Sequence, residues 1–142
     1  MPQTNFDVTN QLAQLENYIK DLDGLRNKSD SDFTPNSDVE VLAERRVYKA
    51  IQAALDLAIT VNNQLGLGVP PTYRDVFINL QNKGVIDQQS SERMQLMAGM
   101  RNIIAHEYAR IDPKKILQVI RYDYQDLVKF AGQVNDFLNE VK

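Results

Sequence analysis

The 142-residue chain contains neither cysteine nor tryptophan, and its single histidine is His106. Without cysteine, the chain cannot form a disulfide framework, a thiolate metal site or a thiol nucleophile. No stretch approaches the length and apolarity of a membrane span, and the first ten residues lack the basic start and apolar run of a secretory signal. The carboxylates show no ligand spacing typical of a metal site. We therefore expect a cytoplasmic protein that has no membrane contact, no bound metal and no other cofactor.

Positive charge is scarce in the chain as a whole, whose formal net charge is −3. Because nucleic-acid-binding proteins usually carry a basic surface, this net charge weakly disfavours a general nucleic-acid binder. The charges are unevenly distributed, however. Acidic residues dominate positions 1–44, whereas positions 93–121 hold six lysines and arginines against two acidic residues. One segment of the chain is therefore locally cationic.

Apolar residues recur at helical spacing through most of the chain, and the alternation typical of strands is nowhere sustained. Capping residues mark several predicted helix starts, among them a Ser-x-x-Glu capping box that begins at Ser37. The predicted helices begin near Val8, Ser37, Thr72, Ser90 and Asp112, and the first runs to about Leu25. We predict an all-α fold, an up-and-down four-helix bundle with one additional short helix, in a single domain over residues 1–142.

Between the first two predicted helices, residues 26–37 are rich in asparagine, serine and aspartate and include Pro35. Such a composition offers little apolar surface to bury and is typical of turns and loops. We therefore predict a mobile acidic loop at this position.

The fourth predicted helix carries the only histidine near its end. Its predicted core-facing stripe consists of Leu96, Met97, Met100, Ile103 and Ile104. On a regular helix, this stripe turns Arg101, Asn102, His106 and Tyr108 toward solvent or a partner. The β-carbons of Arg101 and His106 are then expected on the order of 10 Å apart, on two sides of a groove.

An arginine and a histidine at such a separation can bracket one phosphate group. A guanidinium is always ionised, and it offers a planar fork of donors to the charge that develops on a pentacoordinate phosphate. Histidine is the residue type that most readily takes and gives a proton near neutral pH, so it can remove the proton of an RNA 2′-hydroxyl. Arg101 and His106 together predict metal-free transesterification of RNA.

The run Arg-Asn-Ile-Ile-Ala-His-Glu-Tyr at residues 101–108 resembles the signature of the HEPN superfamily, in which an arginine, four to six residues and a histidine mark metal-independent ribonucleases on helical bundles. The tyrosine two places after the histidine resembles in particular the HepT toxins, which are encoded beside MntA nucleotidyltransferase antitoxins. The resemblance implies a ribonuclease toxin that cuts tRNA or mRNA and forms a homodimer with the active cleft between protomers. It also implies that the antitoxin silences the toxin by transferring AMP from ATP to the tyrosine.

Carried over to this chain, the resemblance makes Arg101 and His106 catalytic, Asn102 a polar support and Tyr108 the modified residue. Three further basic residues are candidates for RNA contacts, namely Arg46 on the second predicted helix and Lys114 and Lys115 just after the motif. For these three, the alternative is an ordinary solvated helix face.

RNA cleavage needs an acid as well as a base, and the chain has one histidine. Either a two-fold dimer supplies His106 of the partner subunit, or Arg101, Tyr108 or water protonates the leaving group. An alternative function is a binding module, in which the bundle is a non-catalytic helical partner of a nucleotidyltransferase. A third is a plain dimerisation bundle, which predicts neither toxicity nor RNA cleavage.

Overall fold

A computed structural model of the protein describes residues 2–106 and 111–140, with side chains from Asp7 onward. This part of the chain is helical and contains no strand. The longer helices are α1 (Pro2–Asp21), α3 (Asp38–Gln64), α5 (Gln88–Ala105) and α7 (Tyr124–Glu140), and the shorter ones are α2 (Asp23–Arg26), α4 (Tyr73–Lys83) and α6 (Pro113–Gln118). The predicted all-α fold is therefore confirmed. No helix within the described ranges is both long enough and apolar enough to cross a membrane.

Local capping residues begin the helices where the sequence predicts them. The side chains of Ser37, Thr72 and Asp112 accept hydrogen bonds from backbone N–H groups in the first turns of α3, α4 and α6. Helix α5 begins at Gln88, slightly earlier than predicted, because the Asp87 carboxylate caps its first turn. Capping depends on residues two or three positions apart, which is why the sequence pattern locates these starts well.

The acidic segment 26–37 is anchored to the rest of the molecule. It forms a 3₁₀ turn over Asp30–Phe33, and the Phe33 side chain is buried. Arg121 donates hydrogen bonds to the carboxylate of Asp30 and, at 2.8 Å, to the carbonyl oxygen of Lys28. The segment is the mostly exposed loop that was predicted, and one aromatic side chain and one distant arginine attach it to the rest of the molecule.

The predicted first and last helices are both interrupted. Helix α1 ends at Asp21, and α2 follows after the buried Leu22. A π-helical segment, Val119–Asp123, lies between α6 and α7. Arg26 of α2 donates to the carbonyl oxygen of Ile120 in this segment at 2.9 Å. The two interruptions are thus joined by a hydrogen bond between distant parts of the chain.

Helix α3 occupies the centre of the bundle. It contacts α1, α4, α5 and α7. Its buried residues include several alanines, whose small side chains allow neighbouring helices to approach closely. On one side of this centre, Phe77 of α4 and Phe130 of α7 meet edge to face, with ring centroids 5.8 Å apart. The arrangement brings the last turns of α5, which carry the motif, against α3.

Helix α5 turns to the core a face that only partly matches the predicted one, since Met97, Met100 and Ile104 pack on the core as predicted. Its buried hydrophobic residues are Met94, Met97 and Ala98. Leu96 and Ile103 belong to the predicted stripe but are 64% and 41% exposed, while Met100 and Ile104 are half-buried. Apolar side chains lie on more than one side of this helix, so the pattern alone cannot select the packed side. The prediction is wrong for Leu96 and Ile103 for that reason.

Candidate active site

Arg101 lies on the side of α5 that faces the bundle and is half-buried. It follows the buried Met97 by one helical turn, so it lies at nearly the same angle around the helix axis. Arg101 was expected toward solvent or a partner, and the structure places it half-buried because the packed face of α5 extends to Met97 and Ala98. The side chain reaches the edge of the core, where α3, α4 and α5 meet.

Side chains from these helices surround the Arg101 guanidinium. The Arg101 Nε donates to Gln52 Oε1 on α3 at 2.7 Å, and Nη1 donates to the neighbouring Asn102 Oδ1 at 3.2 Å. The ring centroids of Tyr48 on α3 and Tyr73 on α4 each lie 5.7 Å from the guanidinium carbon. These distances are within the range of cation–π attraction. The cation is thus held in place, and the predicted supporting role of Asn102 stays a prediction.

His106 directly follows the last residue of α5, Ala105, and is exposed. Its backbone is extended, with φ −96° and ψ 91°, and its N–H donates to the carbonyl oxygen of Asn102 at 3.1 Å. The helix thus ends at Ala105, although the His106 N–H still makes the helical bond to Asn102, and the expected separation of the two side chains stays a prediction. Tyr108 lies outside the described residues.

An open cleft of about 400 Å³ lies between α3 and the end of α5. Its lining residues are Val41, Glu44, Arg45, Tyr48, Ile104 and Ala105. Two of them connect the cleft to the motif, because the ring of Tyr48 lies beside Arg101 and Ala105 directly precedes His106. The cleft is thus lined by one residue that contacts Arg101 and by the residue that precedes His106.

The three candidate RNA-contacting residues do not gather at this cleft. Arg46 Nη1 donates to the carbonyl oxygen of Asp21 at the end of α1, at 3.0 Å. The neighbouring Arg45, and not Arg46, lines the cleft. Lys115 borders an apolar groove beside Leu96, on the side of α5 opposite Arg101. Lys114 is exposed.

Sequence reasoning did not single out Gln52 and Tyr73. Gln52 follows Tyr48 by four positions, a spacing that puts both side chains on one face of α3, so a signal for this pair was present. Tyr73 has no such signal, since only the packing of α4 on α5 brings it to Arg101. Throughout residues 2–106 and 111–140, no three histidine, aspartate or glutamate side chains form a group that could hold a metal ion. The chemistry available at the cleft is that of the guanidinium, the imidazole and their neighbours.

Comparison with known proteins shows which family this chain resembles. A family model described as Ribonuclease HepT-like matches residues 15–134. The chain is 28% identical over 132 residues to the mRNA nuclease HepT of Shewanella oneidensis, with coverage of 89% of this chain and 95% of that protein. It is 24% identical over 131 residues to the tRNA nuclease HepT of Aphanizomenon flos-aquae, with coverage of 92% and 89%.

A solved structure shares the fold. It is the tri-AMPylated HEPN toxin of Shewanella oneidensis in complex with an MNT antitoxin, with a TM-score of 0.81 and 24% identity. The similarity covers 91% of this chain and 96% of the toxin chain. Because the family match spans most of the chain, from the first helix to the last and across the cleft, the chain belongs to the HepT-like ribonuclease family, and the prediction of a ribonuclease is confirmed.

Proposed function

We propose that this chain, as one domain over residues 1–142, is a metal-independent ribonuclease toxin whose catalytic residues are Arg101 and His106. The observation that carries the proposal is that Tyr48, which contacts Arg101, and Ala105, which precedes His106, line one cleft between α3 and α5, with the guanidinium held and the imidazole exposed. The two curated relatives are nucleases of mRNA and of tRNA, which supports RNA as the substrate.

The reaction is a transesterification at one ribose-phosphate unit. The His106 imidazole takes the proton of the 2′-hydroxyl, and the 2′-oxygen attacks phosphorus. The bond from phosphorus to the 5′-oxygen of the next nucleotide breaks, which leaves a 2′,3′-cyclic phosphate and, after protonation, a 5′-hydroxyl. Negative charge grows on the phosphate oxygens in the transition state, where Arg101 donates to them. Because Gln52 occupies Nε, the donors for the phosphate are on Nη1 and Nη2.

The departing 5′-oxygen also needs a proton, and it leaves on the side of phosphorus opposite the 2′-oxygen, away from the His106 that took the first proton. We assign this proton to His106 of the partner subunit in a homodimer, and Tyr108 or water supplies it if the dimer does not form. A two-fold axis places the same surface of both subunits opposite itself. An exposed apolar side chain at the cleft supports such an interface, because Val41 lines the cleft and is 54% exposed.

A nucleotidyltransferase antitoxin of the MntA type is the proposed partner, and Tyr108 is the proposed acceptor of AMP. The Shewanella oneidensis toxin that shares this fold is AMPylated and bound to an MNT antitoxin. AMP on Tyr108 adds a phosphate two residues after His106 in the sequence, and we propose that this phosphate competes with RNA for the Arg101 guanidinium. The complex is expected in the cytoplasm, where RNA and ATP are available.

Expression of the chain alone tests the nuclease proposal. We expect growth arrest with the wild type and normal growth with His106→Ala, whose side chain is exposed and whose loss should leave the fold intact. The purified wild type should cleave RNA in the presence of EDTA and leave cyclic phosphate ends. Growth arrest that persists in both His106→Ala and Arg101→Ala overturns the proposal. A wild type that neither arrests growth nor cleaves RNA points to a non-catalytic partner of a nucleotidyltransferase.

Co-expression with a nucleotidyltransferase encoded beside the gene tests the regulation. Mass spectrometry should find AMP on Tyr108, and Tyr108→Phe should stay toxic in the presence of the antitoxin. Tyr122→Phe is the matched control, because Tyr122 is 63% exposed and lies on the π-helical segment. AMP on Tyr122 but not on Tyr108 contradicts the assignment.

A further inference from the structure

Gln52 on α3 connects Arg101 to the scaffold through both ends of its side-chain amide. Its Oε1 accepts from Arg101 Nε at 2.7 Å, and its Nε2 donates to Asp56 Oδ1 at 2.9 Å. A carboxylate can only accept, and the Nε2 group can only donate. Asp56 therefore determines which end of the amide points to Arg101, and the acceptor end is the one available to Nε.

The contacts of Arg101 restrict the orientation of its guanidinium, and with it the direction in which the terminal nitrogens point. The bond to Gln52 fixes the Nε end of the guanidinium, and the rings of Tyr48 and Tyr73 flank it at 5.7 Å each. An arginine side chain without such partners rotates about several bonds, and the phosphate would have to select one rotamer on binding. A guanidinium that is already oriented needs no rearrangement as charge develops on the substrate.

The side-chain amide of Gln52 is uncharged, and this affects how strongly Arg101 can attract the phosphate. A carboxylate at this position would form an ion pair with Arg101 and compete with the phosphate for the same cation. An amide oxygen accepts the hydrogen bond and leaves the full positive charge for the substrate. The nearest carboxylate in the chain of contacts, Asp56, is exposed and touches the amide instead of the guanidinium.

We propose that Gln52 is a positioning residue that orients the Arg101 guanidinium toward the scissile phosphate, with Asp56 setting the direction of its amide. The inference rests on the proposed ribonuclease function. It assigns Gln52 no contact with the substrate, so its effect passes through Arg101.

The test compares Gln52→Met with Gln95→Met in the full-length protein. Methionine keeps the length of glutamine but removes the acceptor. Gln95 is a second half-buried helical glutamine, bonded to Ser91 and not to Arg101, so it controls for general packing. We expect Gln52→Met to lower kcat for a short RNA by roughly tenfold to a hundredfold with little change in KM, because a misplaced group costs rate more than binding. Gln95→Met should retain the wild-type kcat.

A spectroscopic readout follows the hydrogen bond itself. In protein labelled with ¹⁵N-arginine, the Nε–Hε resonance of Arg101 is assigned by its absence from Arg101→Lys. It should shift and exchange faster with water in Gln52→Met and stay unchanged in Gln95→Met. This measurement does not depend on activity, so it reports on the contact even if the substrate is a different one.

A second variant keeps the hydrogen bond and changes the charge. Gln52→Glu retains an acceptor for Nε, so the resonance should stay protected from exchange, while KM should rise because the new carboxylate competes with the phosphate. An unchanged kcat in Gln52→Met overturns the positioning role, whether or not the resonance moves. Equal losses in Gln52→Met and Gln95→Met overturn it as well. If Arg101→Ala cleaves RNA like the wild type, the proposed function fails instead.

Discussion

Replacement of Arg101 by lysine separates the charge of the residue from its geometry. Lysine keeps the positive charge and can still lie between Tyr48 and Tyr73, but it has no Nε to bond Gln52 and no planar fork for a phosphate. If a cation alone were sufficient, Arg101→Lys would remain active. The proposed mechanism instead requires two oriented donors on the phosphate.

The expected loss of cleavage rate in Arg101→Lys follows from the contacts of the arginine side chain. Removal of one preorganised donor from a site of developing negative charge typically lowers the rate by about 10²- to 10³-fold. The lower limit corresponds to about 2.7 kcal/mol of transition-state stabilisation. The fold should lose less, about 1 kcal/mol, because one hydrogen bond to the half-exposed Gln52 is removed and its amide can turn to water. The activity should therefore fall much further than the stability.

A single-turnover assay on a short RNA with a fluorophore and a quencher at its ends measures the rate of cleavage. Urea unfolding followed by circular dichroism measures the free energy of unfolding on the same preparations. Both are compared with the wild type and with Arg45→Lys, a conservative change of the other arginine at the cleft. An Arg101→Lys variant that keeps at least a third of the wild-type rate would refute the role of the guanidinium fork.

Three further predictions concern assembly and stability. Val41→Glu places a charge on an exposed apolar residue of the cleft, and light scattering should show a shift from dimer to monomer together with loss of RNA cleavage. A dimer that persists in this variant argues against the interface. The hydrogen bond from the Ser90 backbone N–H lowers the pKa of the Asp87 carboxyl to about 2. The charged carboxylate therefore stabilises the folded state above about pH 4, and this contribution is lost as the pH falls toward 2. Urea unfolding across this range should therefore show the wild type losing its advantage over Asp87→Asn, whereas a constant difference contradicts the assignment. Phe33→Ala should lower the free energy of unfolding by about 3 kcal/mol, since the ring is buried, and a loss below about 1 kcal/mol means that the 3₁₀ turn is only loosely attached.

The sequence by itself determined the helices and the identity of the chemical groups. Ser37, Thr72 and Asp112 cap helices at the predicted places because capping involves neighbours within one turn. The eight-residue run at positions 101–108, with its resemblance to the HEPN ribonucleases, indicated RNA chemistry, and its histidine is the one side chain type that readily moves a proton near neutral pH.

Tertiary packing decided which way these groups point. Helix α5 has apolar residues on more than one side, and only its contacts with α3 and α4 select the side that includes Arg101. Gln52 is 49 positions away from Arg101 in the chain, and no local pattern connects the two. The burial of Phe33 and the turn of Arg46 toward α1 likewise depend on surfaces formed by distant segments. Hydrophobic periodicity reports that a helix has a face to bury, and only the neighbouring helices determine what that face meets.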